Sequence, residues 1–442
     1  MLTVNLLSGK YSGILAIIRF LSSVPEMGFT INYIVLTKVC IFNCGTKLYK
    51  HTKHSTLGST DIAGINAHII SFYASLYIFK NIFHTFAVGN YIYCRNNNID
   101  KNMGLLQDKL AKYTLPDEIK AKGIYPYFRE IEGKQGTEVA MGGHNVLMFG
   151  SNAYTGLTGD DRVIEAGVAA MRQYGSGCAG SRFLNGTLDI HVELEKELAE
   201  FVGMDDALVF ATGFTVNSGV IPQLLGKDDY IICDDRDHAS IVDGRRLSFA
   251  TQLRFKHNDM DDLERVLKRC NPDSIKLIVV DGVFSMEGDL CKLPEIVELK
   301  HKYNAAIMVD EAHGIGVFGR NGRGVCDHFG LTHEVDLIMG TFSKSLASVG
   351  GFIAADKTII NYLRHTARTY IFSASCTPAA TASAREALRI LKAEPERLEA
   401  LWEVTRYALK RFKEEGFEIG DTESPIILLY VRDLEKAFVV TA

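Results

Sequence analysis

No excess of basic charge marks this sequence of 442 residues: 48 Lys and Arg stand against 53 Asp and Glu, a formal net charge of −5. A nucleic-acid enzyme normally carries a basic surface, so the composition does not favour that class. A phosphate-cradling G-x-x-x-x-G-K-[ST] loop is also missing. The nearest string, "GTFSKS" (340–345), has the lysine and a serine but no glycine before the lysine. No signal peptide with a convincing cleavage site is present. The nine cysteines are scattered. A chain this long builds a core without disulfides, so free thiols in a reducing cytosol are expected. Cys40 and Cys44, followed by His51 and His54, match metal-ligand spacing only loosely, and the gap between the pairs is too short for a zinc finger. No metal is expected.

What remains is an ordinary globular balance, 47% hydrophobic and 23% charged, with room for two or three domains. The character changes near residue 100. Residues 1–102 are rich in Ile, Tyr, Phe, Asn and Lys, and between Asp61 and Arg95 the only charged residue is Lys80. "IAGINAHIISFYASLYIF" reaches the lower length limit for a spanning helix but contains Asn66, His68 and Ser71. Three readings compete: a weak membrane anchor, a loosely helical extension, or an upstream over-translation ahead of a natural start at Met103. The prevalence of residues with AT-rich codons favours the third.

From about Asp205 the chain alternates β-rich runs with helical stretches. The runs are "ALVFAT" (207–212), "YIICD" (230–234), "QLRF" (252–255), "KLIVVD" (276–281), "AAIMVD" (305–310), "DLIMG" (336–340) and "GGFIAA" (350–355). Continuous apolar runs suit strands buried on both faces. The alternation predicts an α/β domain with a mainly parallel sheet, whose ligands bind at the carboxyl ends of the strands.

One such end reads "IMVDEAHGIGVFG" (307–319). "DEAH" is a helicase string, but the missing phosphate loop removes that reading. Gly314, Gly316 and Gly319 have G-x-G-x-x-G spacing, yet the glycines continue through "RNGRG", so a loop is expected rather than a helix start. A third reading fits more residues. Asp310 closes an apolar strand, where a carboxylate is costly unless paired. The protonated ring nitrogen of pyridoxal phosphate is a suitable partner. Such chemistry also needs a lysine that bonds to the cofactor. Lys344 in "IMGTFSKSLASVGG" follows a strand inside a small-residue loop, with Thr341 and Ser343 offering hydroxyls to the phosphate. "ATGFTVNSG" opens a helix after the first clear strand, so the N–H groups of Gly213 and Phe214 can meet the phosphate there.

Together "DDRDHASIVDG", "DGVFSMEGD", "VDEAHGIGVFG" and "GTFSKSLASVGG" resemble the α-oxoamine synthase family of fold-type I pyridoxal-phosphate enzymes, from about Met103 to the C-terminus. "MFGSNAYTGL", "YGSGCAGSRFLNGT" and "FSASCTPAAT" are most similar to its bacterial serine palmitoyltransferase branch. The resemblance implies a large domain with a mainly parallel seven-stranded sheet and a smaller, C-terminally truncated α+β domain. The corresponding boundaries are 103–150 for the N-terminal part of the small domain, 151–355 for the cofactor-binding domain and 356–442 for the partial C-terminal part. It makes Lys344 the lysine joined to the cofactor and the base, and pairs Asp310 with the ring nitrogen. His313 then bonds the phenolic oxygen, His238 stacks on the ring, and Ser285 bonds the ring's polar edge. Asn152 and Tyr154 fall on the substrate side, and Ser375 and Thr377 reach the phosphate of a partner subunit.

The activity so implied is decarboxylating condensation of an amino acid, L-serine favoured, with palmitoyl-CoA, giving 3-oxosphinganine, CoA and carbon dioxide. The siblings glycine C-acetyltransferase and 8-amino-7-oxononanoate synthase share these motifs, and an inactive cofactor-binding fragment is the remaining alternative. A cytoplasmic homodimer with shared sites follows, with no nucleic-acid partner and peripheral membrane association left open. The family's small-domain arginine for the substrate carboxylate has no match before the end at "RDLEKAFVVTA".

Overall fold

The computed structural model describes residues 104–441. The expectations for residues 1–102, including the anchor and over-translation readings and Cys40, Cys44, His51 and His54, lie outside the described residues. The chain divides into two compact units, 1–114 and 115–442. The described part of the first holds one short helix, α1 (Leu105–Leu110).

The second unit opens with α2 (Leu115–Ala121) and an antiparallel hairpin of β1 (Glu138–Met141) and β2 (His144–Leu147). Two long helices follow, α3 (Asp161–Tyr174) and α4 (Asp189–Val202). The expected alternation then appears in full. It runs β3 (Asp206–Phe210), α5 (Gly213–Leu224), β4 (Tyr230–Asp234), α6 (Ala239–Arg246), β5 (Thr251–Phe255), α7 (Met260–Leu267), β6 (Lys276–Asp281), α8 (Leu293–Tyr303), β7 (Ala306–Asp310), α9 (Val325–His328), β8 (Leu337–Thr341) and β9 (Gly351–Ala355). Helices α10 (Lys357–Thr366), α11 (Arg368–Ile371), α12 (Pro378–Ala393), α13 (Glu396–Glu414) and α14 (Leu434–Thr441) complete it.

The seven strands lie in the order β3-β9-β8-β7-β6-β4-β5. All neighbours are parallel except β9, which runs antiparallel to both β3 and β8. Strand β6 shows why the sequence carried the signal. All six of its residues are buried. Leu277 and Val279 join the core on one face with Met308, Leu337, Val216 and Val220, while Ile278 and Val280 join the other with Ile307, Val309, Leu198 and Leu388. A strand covered on both faces has no polar side to alternate with. Even Lys276 is buried, its ammonium donating to the Asn271, Pro272 and Ser274 carbonyls.

Candidate active site

The carboxyl edge of this sheet collects acids. Among the described residues four aspartates are buried, Asp234, Asp237, Asp281 and Asp310, and they stand at or just past the ends of β4, β6 and β7. Asp310 is 2% exposed. Its Oδ1 accepts the Ala312 N–H at 2.9 Å and its Oδ2 accepts Asn217 Nδ2 at 2.7 Å. Two donors leave lone pairs on both oxygens, so the carboxylate retains capacity for a further, cationic partner. Asp281 is paired with Asp310 across β6 and β7. Burial, then the neighbouring Asp310 charge, push the Asp281 carboxyl well up, and its Oδ2 accepts the His238 N–H at 2.7 Å. Burial and the Asp281 charge likewise raise Asp237.

The adjacent glutamate of "DEAH" has a different task. Glu311 is fully buried, and its two oxygens accept the Val325 and Cys326 N–H groups at 2.9 and 2.8 Å, capping α9. A Cβ on Gly314 would lie 1.8 Å from Glu311 Oε2, and one on Gly324 would lie 2.6 Å from its Cδ. Gly314, one of the glycines that imitate a dinucleotide turn, and Gly324 beyond them are therefore spaces for this side chain. The segment is a loop, as expected from its continuing glycines.

His313, two residues on, bonds through Nδ1 to the Tyr154 hydroxyl at 2.7 Å. Burial, then the Lys344 and His238 charges, push its pKa down to about 3, so it is neutral at pH 7. Burial raises Tyr154, which remains a phenol. Lys344 lies in the loop joining β8 to β9, closed by Phe342 N–H to Gly350 O and Ser348 N–H to Phe342 O. Burial lowers its ammonium pKa, while Asp310 and Asp281 act in the opposite sense. A half-buried lysine near two acids is a candidate nucleophile, its amine favoured by burial and its ammonium by the acids.

Helix α5 begins at Gly213. Thr212 caps it, exchanging hydrogen bonds with Thr215. The N–H groups of Gly213 and Phe214 occupy its first turn, where no intrahelical acceptor exists. A Cβ on Gly213 would stand 2.8 Å from Thr341 Oγ1, and one on Gly351 would stand 2.8 Å from Gly213 Cα. Glycine at both positions lets the helix start press onto the ends of β8 and β9. Thr341 Oγ1 lies 3.0 Å from Ser343 Oγ and donates to Gly350 O at 3.1 Å. Free N–H groups, a helix dipole and two hydroxyls form an anion cradle. With Asp310 and Lys344, this donor set matches the phosphate, ring nitrogen and aldehyde of pyridoxal phosphate, so the residues present fit the group.

Of the remaining expected residues, His238 is brought to the acids through its N–H to Asp281. His238 is exposed at the N-terminus of α6, its Nδ1 facing Ser240. Ser285 sits half-buried in the turn beyond β6, and Asn152 is exposed, its carbonyl accepting the Tyr154 N–H. Ser375 bonds the Gly180 carbonyl at 3.1 Å, and the exposed Thr377 caps α12. Sequence reasoning missed Asn217, Ser240 and Asp281. Asn217 carried a signal, since asparagine is a poor residue for a helix interior unless its side chain has work there.

A sheet of this order with a lysine in the β8–β9 loop is the arrangement of fold-type I pyridoxal-phosphate transferases. The chain belongs to the aminotransferase class I and II family, whose model matches residues 144–439, and within it to the group of the serine palmitoyltransferases. A serine palmitoyltransferase of Bacteroides ovatus is 81% identical over 339 residues, covering 77% of this chain and 86% of that protein. 8-Amino-7-oxononanoate synthase 1 of Bacillus velezensis is 44% identical over 321 residues, covering 73% and 82%. Among solved structures, a serine palmitoyltransferase variant from S. paucimobilis with a bound PLP–myriocin aldimine matches with a TM-score of 0.73 at 38% identity, over 75% of this chain and 85% of that one.

Proposed function

We propose that this chain is a pyridoxal-phosphate-dependent acyltransferase that condenses L-serine with a long-chain acyl-CoA, palmitoyl-CoA, giving 3-oxosphinganine, CoA and carbon dioxide. The observation that carries this reading is the half-buried Lys344 amine, its pKa lowered by burial, standing within the influence of the buried Asp310. The 81% identity to a serine palmitoyltransferase supports the choice of substrates.

When bound, pyridoxal phosphate supplies an electron-withdrawing ring that accepts the electron pair of the substrate's α-carbon. The chain's residues do the rest. The N-terminus of α5 with Thr341 and Ser343 holds the phosphate. Asp310 would hold a proton at the ring nitrogen, and neutral His313, bonded to Tyr154, would serve the phenolic oxygen. Ser285 would bond the ring's polar edge. His238 would support the ring and orient the amino acid, with Asn152 on the substrate side. Lys344 would hold the cofactor through its aldehyde and would take the substrate's α-proton. The α-carbon then attacks the thioester, the CoA thiolate leaves, and carbon dioxide departs.

The chain works as a homodimer with shared sites, Ser375 and Thr377 reaching the partner's phosphate. The exposure of Phe183 (56%), Leu184 (77%) and Phe372 (79%) supports a buried face of this kind. It acts in the cytoplasm. Among the described residues no helix is long and apolar enough to cross a membrane.

Borohydride treatment of the cofactor-loaded chain, followed by peptide mass analysis, is expected to fix a pyridoxyl group on Lys344 and none in Lys344→Ala. CoA release from palmitoyl-CoA is expected with serine. Release with glycine or alanine instead would move the assignment to the sibling enzymes, and pyridoxal binding without release would leave a cofactor-binding fragment.

A further inference from the structure

Asn217 is 0% exposed, four residues into α5 from the phosphate cradle, and no role was assigned to it within "ATGFTVNSG". Its Nδ2 lies 2.7 Å from Asp310 Oδ2 and 2.8 Å from Ser240 Oγ. Its Oδ1 has no partner among the described residues. The amide orientation therefore rests on the two Nδ2 contacts. Turning it over would set an amide oxygen against the Asp310 carboxylate. Both Nδ2 hydrogens are thus committed, one to Asp310 and one to Ser240.

This fixes the next hydrogen. Ser240 is 2% exposed. Its Oγ accepts from Asn217, and its own hydrogen points to His238 Nδ1 at 2.7 Å. The Ser240 N–H faces the same nitrogen at 3.2 Å, so His238 caps α6 through Nδ1 as an acceptor. Two donors converge on one ring nitrogen. A proton on Nδ1 would leave a buried hydroxyl hydrogen and a buried N–H facing another donor, and unsatisfied buried donors are costly.

We infer that Asn217 is a positioning residue. Through Ser240 it holds His238 in the neutral tautomer protonated on Nε2, and ties that tautomer to the Asp310 carboxylate. A stacked imidazole held this way adds no positive charge against a cationic ring. Its Nε2–H is then the donor left for the amino-acid orientation proposed above. The titratable groups facing His238 are Asp281, which accepts its N–H, and His313 across the site.

The link to amino-acid binding rests on the proposed function, but the tautomer does not. It is read in the full chain labelled with ¹⁵N-histidine, with and without pyridoxal phosphate, using long-range proton–nitrogen correlations. The His238 signal is identified by its loss in His238→Gln. The expected result is an acceptor-type Nδ1 and a protonated Nε2 in both states. Ser240→Ala is expected to give a tautomer mixture and Ser240→Thr to restore the single form. In the loaded chain, serine titrated against the cofactor absorbance should bind about tenfold more weakly in Ser240→Ala, the equivalent of about one hydrogen bond. Asn217→Leu should resemble Ser240→Ala. If it fails to fold, Ser240→Ala, which removes one oxygen, still decides. A proton on Nδ1 in the parent chain, or an unchanged tautomer in Ser240→Ala, overturns the inference. Failure to bind pyridoxal phosphate with the expected tautomer intact overturns the functional reading instead.

Discussion

Gly244 of α6 lies against the backbone carbonyl of Asn217 in α5: a Cβ at Gly244 would stand 2.7 Å from that oxygen and 3.1 Å from the Asn217 carbonyl carbon. Backbone cannot swing aside as a side-chain end can. The absence of a side chain at one position thus sets the spacing of two helices, and with it the reach of Asn217 to Ser240.

Gly244→Ala should therefore act twice. Overpacking this contact is expected to cost on the order of 1–3 kcal/mol, read as a thermal midpoint lowered by several degrees. Serine binding should also weaken, because α6 carries both Ser240 and His238 away from α5. A variant of unchanged stability would mean that the helices separate without strain.

Asp310→Asn keeps size and burial but removes the charge expected at the ring nitrogen. Loss of one well-placed electrostatic partner commonly costs about 10²–10³ in rate. The variant should bind pyridoxal phosphate and lose α-proton exchange by about that factor. Deuterium exchange at the α-carbon of serine, measured against a parent that itself exchanges, checks it. Equal rates would remove Asp310 from its assigned role.

Glu311→Gln should do the reverse. Its oxygens cap α9 and touch no site residue. An amide would turn one acceptor into a donor facing an N–H, at a cost of about 1–3 kcal/mol. The expected outcome is lower stability with deuterium exchange retained in whatever chain remains folded. ATP hydrolysis should be absent in parent and variant alike.

His257 offers a pH test outside the chemistry. It bonds Asp234 at 3.0 Å and Asp289 at 2.9 Å, stands edge-on to Phe284, and has its pKa raised to about 10 by those two acids, against an opposing effect of burial. A folded pKa above the unfolded value of about 6.5 means stabilisation that is complete below pH 6.5 and lost as pH rises through about 10. His257→Gln should therefore be less stable than the parent at pH 6 to 7 by about 1–3 kcal/mol, and the gap should close towards pH 10. Denaturant melts across this range decide it, and a constant gap would show that the ring is uncharged.

Much of this was legible before the structure. Six of the seven strands announced themselves as apolar runs, because they are almost wholly buried, whereas the edge strand β5 keeps Thr251, Gln252 and Arg254 exposed and showed only as the mixed run "QLRF". "LPEIVELKHKY" became α8 residue for residue. Asp310 and Lys344 were visible because a charged residue at the end of an apolar strand needs an explanation. Asn217 was not visible. Its importance depends on which helix face meets the sheet and on the Gly244 contact, and neither is a local property of "ATGFTVNSG". The split within "DEAH" was hidden for the same reason. Asp310 and Glu311 are neighbours in sequence, yet one faces the site and the other a helix end supplied by residues 325 and 326.

The antiparallel strand β9 has a consequence in time as well as in space. Strand β3 enters the sheet only by pairing with β9, Asp206 opposite Ala355 and Phe210 opposite Gly351. Contacts across so long a stretch of chain form slowly. During synthesis, the helix start at Gly213 is made early but has nothing to lean on until Thr341 and Gly351 have followed it out of the ribosome. The anion cradle is thus among the last parts of the sheet to be assembled. Until then the buried faces of β3 and α5 are open to wrong partners. A cofactor that binds the finished cradle closes that window, so pyridoxal supply during expression should govern how much of this chain escapes aggregation.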